Sequence, residues 1–159
     1  MSRTLSQEYL AGLFDGEGSI SLQNYIDRRG YNVTCLHIRI SNNNRFVLKQ
    51  IQNVWGGTLV DYKPKYPGSN LHHVLAISKV RAKEFLEYIL PNLVIKRNPA
   101  WIVLCFLGHG MRERFGNSFK GKRGWQRLTS DEIEIRKAVV DIIKKINSGK
   151  GKESCGRVE

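Results

Sequence analysis

An acidic residue stands at the end of the first amphipathic segment of the chain. Leu10–Gly18 reads Leu-Ala-Gly-Leu-Phe-Asp-Gly-Glu-Gly, and its apolar residues recur at helical spacing, so Glu17 would lie in the last turn of a helix. The negative end of the helix dipole makes this placement unfavourable by about 0.3–1 kcal/mol, and a bound cation would reverse the penalty. Two such carboxylates with neighbouring backbone carbonyls would suit a hard ion such as magnesium, whereas the alternative is an ordinary exposed acid in a turn.

Two glycines of the same segment point to a close contact between helices. Gly12 and Gly16 lie four residues apart, and small residues at this spacing let two helix backbones approach closely. Together with Leu13, they predict a helix face on which two copies of the chain pack. Glycine inside a helix costs about 1 kcal/mol relative to alanine, so its presence indicates a close contact. The alternative to a contact between two copies is a tight contact within one chain.

The elements that would position these residues follow from changes of hydrophobic period. Ser6 can cap the first helix, Gly16 and Gly18 can end it, and from Ser19 the apolar residues alternate as in a strand. The later elements are a second strand through Leu36–Ile40, a helix from Asn43 or Asn44, strands at Thr58–Lys63 and His72–Ser78, a helix over Arg81–Leu90 and another from Asn98–Pro99. This order predicts an α+β fold, αββαββα, with an antiparallel sheet that helices cover on one face.

The nonapeptide, placed at the start of this αββαββα order, resembles the motif that names the LAGLIDADG homing endonucleases. Acids occupy both positions at which that family carries them, whereas Phe14 and Glu17 are variants of the consensus. The resemblance implies that the antiparallel sheet forms a DNA-binding saddle. It also implies a site-specific enzyme that acts as a homodimer, hydrolyses both strands of a long pseudopalindromic DNA site and leaves 3′ overhangs.

The resemblance also assigns a cofactor and its ligands. It implies that Glu17 is the metal ligand, with the Gly16 carbonyl as a further ligand, and that Asp15 has a structural or capping role. The expected ion is Mg²⁺, for which Mn²⁺ would substitute, whereas Ca²⁺ would bind without supporting cleavage. Bound ions of this kind activate water and stabilise the leaving oxygen of an in-line displacement.

Three further positions resemble the family's active site. Asn42 follows Ile40-Ser41 before the second helix, where it would position the attacking water, and a turn or cap asparagine is an equal alternative. Arg45 would supply a nearby basic group. Lys96 matches the family's active-site lysine and would stabilise the transition state, unless it binds the phosphate backbone instead.

Sequence discrimination is expected on the outward positions of the strands. A β-ribbon fits the major groove, where Arg and Lys can pair with guanine, Gln with adenine and Asp with cytosine. An ordinary solvated strand face is the alternative for each position. The candidate residues are Ser21, Gln23, Tyr25, His37, Arg39, Asp61, Lys63 and His72.

The charge balance supports a nucleic-acid partner. The 159 residues carry 26 Lys and Arg against 14 Asp and Glu, a formal net charge of +12. Within a glycine-rich basic segment, Lys120, Lys122 and Arg123 are further DNA-binding candidates. The predicted division is an endonuclease core at 1–109, a basic loop at 110–128, a helix at 129–147 with Thr129 and Glu132 as a capping box, and a loose tail at 148–159, within one domain.

Cysteine usage and hydropathy predict a reducing, intracellular setting. Three cysteines at wide spacings provide neither a disulfide framework nor a zinc site. Because no apolar run approaches the length of a membrane span, we expect a soluble protein without a membrane partner, in an organelle (chloroplast or mitochondrion) or a prokaryotic or archaeal cytoplasm.

Two alternative functions stay open within the same resemblance. An intron maturase would bind intron RNA and help its own intron to splice, and a non-catalytic regulator would bind DNA on the same fold. Asp15 and Glu17 are both present, and Glu17, Asn42 and Lys96 occur together, so the sequence favours cleavage.

Overall fold

Helices and strands follow one another in the predicted order in the computed structural model. The structure describes residues 5–26, 28, 30, 32–62, 71–108 and 130–148. The elements are α1 (Gln7–Glu17), β1 (Gly18–Ile26), β2 (Asn32–Asn42), α2 (Arg45–Trp55), β3 (Thr58–Tyr62), β4 (His72–Ser78), α3 (Lys79–Ile89), a 3-10 turn (Leu90–Asn92), α4 (Arg97–Gly108) and α5 (Ser130–Asn147). The predicted α+β fold class and αββαββα order are therefore confirmed.

The first two helices begin at the residues whose side chains can cap them. The Ser6 hydroxyl accepts a hydrogen bond from the Tyr9 amide at 3.2 Å. The Asn44 side chain accepts from the amides of Phe46 and Val47, and thereby resolves the choice between Asn43 and Asn44. These bonds satisfy amide donors that the first turn of a helix leaves without partners.

The four strands form one antiparallel sheet in the order β1-β2-β4-β3. Cross-strand neighbours share a face, so the pairing Ile20 with Ile38 and Ile38 with Ile77 aligns one apolar row. The helices cover this face, and its seven buried aliphatic residues are Ile20, Leu22, Leu36, Ile38, Ile40, Leu75 and Ile77. The opposite face has no helix packed on it within the described part of the chain.

Aromatic side chains fix α1 against α3 above the sheet. Phe14, fully buried, meets Phe85 edge to face with ring centroids 5.6 Å apart, and Trp55 meets Phe85 in the same way at 5.6 Å. Phe14 occupies one of the two positions at which the sequence departs from the motif's consensus. Its ring therefore belongs to the core that holds the acidic end of α1 in place.

α5 packs on the core face of the sheet beside β1. The buried guanidinium of Arg136 donates to the Thr34 hydroxyl at 3.0 Å, and this hydroxyl donates to the Asn24 side chain at 2.7 Å. Near the other end of α5, the Asn147 amide donates to the Ile20 carbonyl at 2.8 Å. These bonds tie α5 to the β1–β2 hairpin, a connection that the sequence did not predict.

Differences from the predicted bounds are small. α3 begins at Lys79 rather than Arg81, and α4 at Arg97 rather than near Asn98. Lys63, Lys120, Lys122, Arg123 and Thr129 lie outside the described residues, and the predicted division of the chain at 110, 129 and 148 stays a prediction. Among the described helices, none is long and apolar enough to cross a membrane.

Candidate active site and open strand face

The inner side of the last turn of α1 is built around Asp15, which is 8% exposed. One carboxylate oxygen accepts hydrogen bonds from the amides of Val94 at 2.7 Å and Ile95 at 3.2 Å, and the other accepts from the Lys96 amide at 2.8 Å. Asp15 thus holds the segment that leads into α4. This arrangement confirms the structural role expected for Asp15.

Lys96 is brought to the same turn by this segment. Its ammonium donates a hydrogen bond to the Asp15 carbonyl oxygen, in addition to the bond that its backbone amide gives to the Asp15 side chain. Asp15 precedes Glu17 by two residues in the sequence. The ammonium therefore lies at the carboxyl end of α1, close to Glu17 along the chain. The structure thus places two of the expected active-site residues, Glu17 and Lys96, at one end of one helix.

Glu17 lies on the outer side of this turn, and its side chain is exposed. The last carbonyls of a helix have no partners within the helix, so backbone oxygens accompany the carboxylate at this end. Carboxylate and carbonyl oxygens are the donors that Mg²⁺ and Ca²⁺ prefer. The Glu17 carboxylate and the Gly16 carbonyl are donors of the type that suits a hard divalent ion. Within residues 5–26, 28, 30, 32–62, 71–108 and 130–148, no group of three or more His, Cys, Asp or Glu is arranged to hold a metal.

The glycines in α1 and directly after it differ in their surroundings. A Cβ added at Gly12 or Gly16 would meet no atom within 4 Å in this chain. A Cβ added at Gly18 would come within 2.5 Å of the Phe14 backbone oxygen and closer still to its ring. Gly12 and Gly16 thus leave one face of α1 open, with half-buried Leu13 beside it, whereas Gly18 is needed for a contact inside the chain.

Asn42 ends β2 near the carboxyl end of α1. Ile40 pairs with Gly18, the first residue after α1, and Asn42 pairs with His73 on the other side. The Asn42 side-chain oxygen accepts a hydrogen bond from the Asn44 amide at 2.7 Å. This bond is the turn interaction that the sequence allowed for Asn42. Because Ile40 pairs with Gly18, Asn42 lies at the same end of the sheet as the last turn of α1.

Arg45 and Asp61 are engaged with each other, which corrects one sequence prediction. The Arg45 Nε lies 3.1 Å from Asp61 Oδ1, and His73 Nδ1 lies 2.8 Å from the same oxygen. Asp61 pairs with buried His73 across the strands, so it shares the face that α2 covers. Its expected place on the outward face with His72 was wrong, because neighbouring residues of a strand point to opposite faces.

These partners alter the acidity of Asp61. The hydrogen bond with His73 is the largest cause that lowers the pKa of Asp61, and the Arg45 guanidinium lowers this pKa further. The ionised carboxylate therefore links α2 to the edge strand and to β4. Arg45, expected near the reacting groups, is held in this ion pair with Asp61.

The outward face of the sheet carries most of the predicted base-reading residues. Cross-strand pairing puts Ser21 beside His37, and Arg39 between Ser19 and Ala76, all on the face opposite the core. We call this surface the open face. The sequence candidates on it are Ser21, Gln23, Tyr25, His37, Arg39 and His72.

Two details of the open face refine the sequence prediction. Partial burial lowers the pKa of His37, and the charge of Arg39 lowers this pKa further, so the imidazole is neutral at pH 7. The Tyr25 side chain extends from β1 to the neighbouring strand β2, where its hydroxyl lies 3.6 Å from the sulfur of buried Cys35. The open face thus offers a neutral imidazole beside a guanidinium.

Sequence reasoning missed one aromatic pair on this face. Tyr62 stacks on His72, with ring planes 6° apart and centroids separated by 5.2 Å. The two residues are cross-strand partners, Tyr62 as the last residue of β3 and His72 as the first residue of β4. The sequence placed Asp61 and His72 on the same face of the sheet. Pairing His72 with Tyr62 instead would have identified Tyr62, but the register between β3 and β4 is known only from the structure.

Comparison with known families places the chain. The family model described as LAGLIDADG-like domain matches residues 4–90, more than half of the chain. The chain therefore belongs to the LAGLIDADG-like domain family. A search of curated protein sequences finds no match.

Solved structures of homing endonucleases share the fold. I-TnaI aligns with a TM-score of 0.57 at 15% identity, covering 91% of this chain and 97% of I-TnaI. I-CvuI, solved in complex with its target in the presence of calcium, aligns with a TM-score of 0.52 at 20% identity, covering 89% and 94%. I-LtrWI, bound to target DNA, gives 0.56 at 16% identity, covering 91% of this chain and 45% of I-LtrWI. The chain thus has the LAGLIDADG homing endonuclease fold.

Proposed function

We propose that this protein is a site-specific homing endonuclease that acts as a homodimer and uses a divalent metal to cut both strands of a long DNA site. The single observation that carries the proposal is the last turn of α1. An exposed acid, Glu17, and a lysine ammonium, Lys96, lie at one helix end, beside a helix face that no part of the described chain covers.

The fold supports DNA as the substrate. I-CvuI and I-LtrWI were solved with their DNA targets, and this chain shares their fold. The open face presents Arg39, Gln23 and His37, whose donors and acceptors suit base edges in the major groove. The net charge of +12 favours a polyanion.

The uncovered side of helix α1 that carries Gly12 and Gly16 supports the dimer. Gly12 and Gly16 allow another helix backbone to approach closely, and two copies related by a twofold axis would bring their α1 helices together at this stripe. The two Glu17 carboxylates would then lie near each other, each beside one strand of the DNA. This chain covers 97% of I-TnaI but only 45% of I-LtrWI, which is about twice as long. Two copies of this chain would therefore be needed to match the length of I-LtrWI.

The residues at this end divide the chemistry between them. A magnesium ion, when bound, would lower the pKa of water and offset charge at the scissile phosphate. Glu17 and the Gly16 carbonyl would hold the ion. The Lys96 ammonium would stabilise the negative charge that develops on the phosphate, and Asn42 would orient water at the adjacent strand end.

The test separates binding from cutting. Duplexes selected by the protein from a random library in Ca²⁺ are then supplied with Mg²⁺ or Mn²⁺, and both strands are mapped for breaks. We expect staggered breaks with 3′ overhangs in Mg²⁺ and in Mn²⁺, and binding without cleavage in Ca²⁺. Failure to select any duplex would overturn the DNA-binding proposal, and selection without cleavage in either metal would overturn the nuclease.

Glu17→Gln assigns the activity to this site. The variant should bind the selected duplex and fail to cut it, with a rate at least about a thousandfold lower, because it removes the charge that holds the ion. Glu134→Gln, which removes the same charge from an exposed position of α5, is the matched control and should cut at the wild-type rate. Equal cleavage by the two variants would exclude the proposed metal role of Glu17.

A further inference from the structure

The open face changes character from one side of the sheet to the other. On β1 and β2 it presents polar side chains such as Gln23 and Arg39. On β4 and the edge strand β3 it presents Val60, Val74 and Ala76, and Val60 pairs directly with Val74. We call these three residues the apolar strip.

The apolar strip does not belong to the core. Its neighbours Leu59 and Leu75 point to the opposite face, where the helices bury Leu75 completely, whereas Val60 is 40% exposed. Valine favours strands, which explains its presence in general. An exposed apolar residue on an edge strand nevertheless invites pairing with other chains, and proteins usually place charges there.

The position of the strip indicates what it would contact. Ala76 is the cross-strand neighbour of Arg39, so the apolar strip and a cation that suits guanine lie side by side on one face. At one end, the strip meets the stacked pair of Tyr62 and His72. A DNA duplex that contacts Arg39 through its major groove would therefore also contact the strip.

The major groove offers one apolar group to such a surface, the 5-methyl group of thymine. The geometry points to Val60, Val74 and Ala76 as a thymine-reading strip, which selects T·A pairs through methyl contacts. Arg39, Gln23 and His37 read hydrogen-bonding edges on the other half of the face. This inference rests on the proposed function and specifies the bases that one part of the surface recognises.

Deoxyuridine tests the inference, because it differs from thymidine only in lacking the 5-methyl group. In a duplex selected by the wild-type protein in Ca²⁺, each thymine is replaced in turn and the Kd is measured. Loss of one buried methyl should weaken binding about three- to fivefold at the positions that face the strip. Replacements elsewhere should have no effect.

Matched valine variants assign the effect to the strip. Val60→Thr and Val74→Thr keep the branched shape that suits a strand and replace a methyl with a hydroxyl. Each should reduce the deoxyuridine effect at its own position, because the threonine side chain presents one methyl group where valine presents two. Val54→Thr, at an exposed valine of α2, is the control and should keep the full wild-type pattern.

The outcomes separate this inference from the proposed function. If the protein binds and cuts its selected site but is insensitive to deoxyuridine throughout, or if the site contains no thymine, the strip does not read thymine although the nuclease stands. If the deoxyuridine effect keeps its full wild-type size in both strip variants, the inference is likewise overturned. If no duplex is selected, the proposed function fails and the inference fails with it.

Discussion

The last turn of α1 carries one buried carboxylate on its inner side and one exposed carboxylate on its outer side. Asp15 is buried and accepts three backbone hydrogen bonds, so its charge is satisfied inside the chain. Glu17, two residues later, is exposed at the negative end of the helix dipole. The same functional group therefore stabilises the fold at one position and is available for a ligand at the other.

The glycines in α1 and directly after it repeat this contrast. Gly18 faces the interior, where the Phe14 backbone and ring leave no room for a side chain, and Gly12 faces open space. A glycine that the interior requires and a glycine on an uncovered helix face thus lie six residues apart in the sequence. Substitutions at Lys96, at the two acids, at the two glycines and at Asp61 are expected to have progressively smaller effects.

The largest of these effects is expected for Lys96→Met, since the ammonium lies where charge would develop. The rate of cleavage at saturating protein should fall about 100- to 1000-fold, while the Kd for DNA changes little. Single-turnover kinetics measure the two quantities separately. If Lys96 only binds the phosphate backbone, the Kd would rise and the rate would stay. Lys144→Met, on exposed α5, is the control for loss of a positive charge.

Asp15→Asn should lower the free energy of unfolding by about 2–3 kcal/mol, because the amide cannot accept all three backbone hydrogen bonds and leaves a buried donor without a partner. Glu17→Gln should instead raise this free energy by about 0.3–1 kcal/mol, because it removes an unfavourable charge from the helix end. Urea unfolding of both variants in metal-free buffer measures the difference. Changes of the same sign would contradict the division between an inner and an outer acid.

Gly18→Ala should lower the free energy of unfolding by about 1–3 kcal/mol through crowding against Phe14. Gly12→Ala should raise the helix propensity by up to about 1 kcal/mol while weakening the proposed dimer, because the new methyl group would stand between the two α1 helices. Chemical unfolding and sedimentation equilibrium measure the two effects. A Gly12→Ala protein that dimerises as tightly as the wild type would place the dimer contact elsewhere.

The smallest effect concerns Asp61 and appears only in acid. Its folded pKa is lowered by His73 and then by Arg45, so its stabilising contribution is complete above the unfolded pKa and is lost as the pH falls through the folded pKa. The wild type should therefore lose stability below about pH 4 more steeply than Asp61→Asn. Thermal unfolding at several pH values measures the slopes, and parallel curves would mean that the ion pair contributes nothing.

Local signals in the sequence predicted much of the fold. The change from helical to alternating period marked α1 and β1, and Ser6 and Asn44 act as the caps that their types suggested. Through the family that it resembles, the motif also predicted a structural or capping role for Asp15 and a metal-ligand role for Glu17. These features depend on residues within a few positions of each other, so they can be read without knowledge of the tertiary structure.

The face on which Asp61 lies could not be read in this way. β3 shows no clear alternation of apolar and polar residues, and its register with β4 decides that Asp61 meets His73 whereas Tyr62 meets His72. The ion pair between Arg45 and Asp61 follows from the same register. The link from Arg136 to Thr34 joins residues 102 positions apart, a distance at which no local pattern operates.

The sequence by itself determined the order of the elements, the motif with its two acids and the positive charge, because these depend on residue type and on spacing along the chain. The tertiary structure alone decided which acid is enclosed, which glycine is crowded and which strand positions share the open face. Asp15 is enclosed by amides 79 to 81 positions away, and only folding brings such groups within hydrogen-bonding distance.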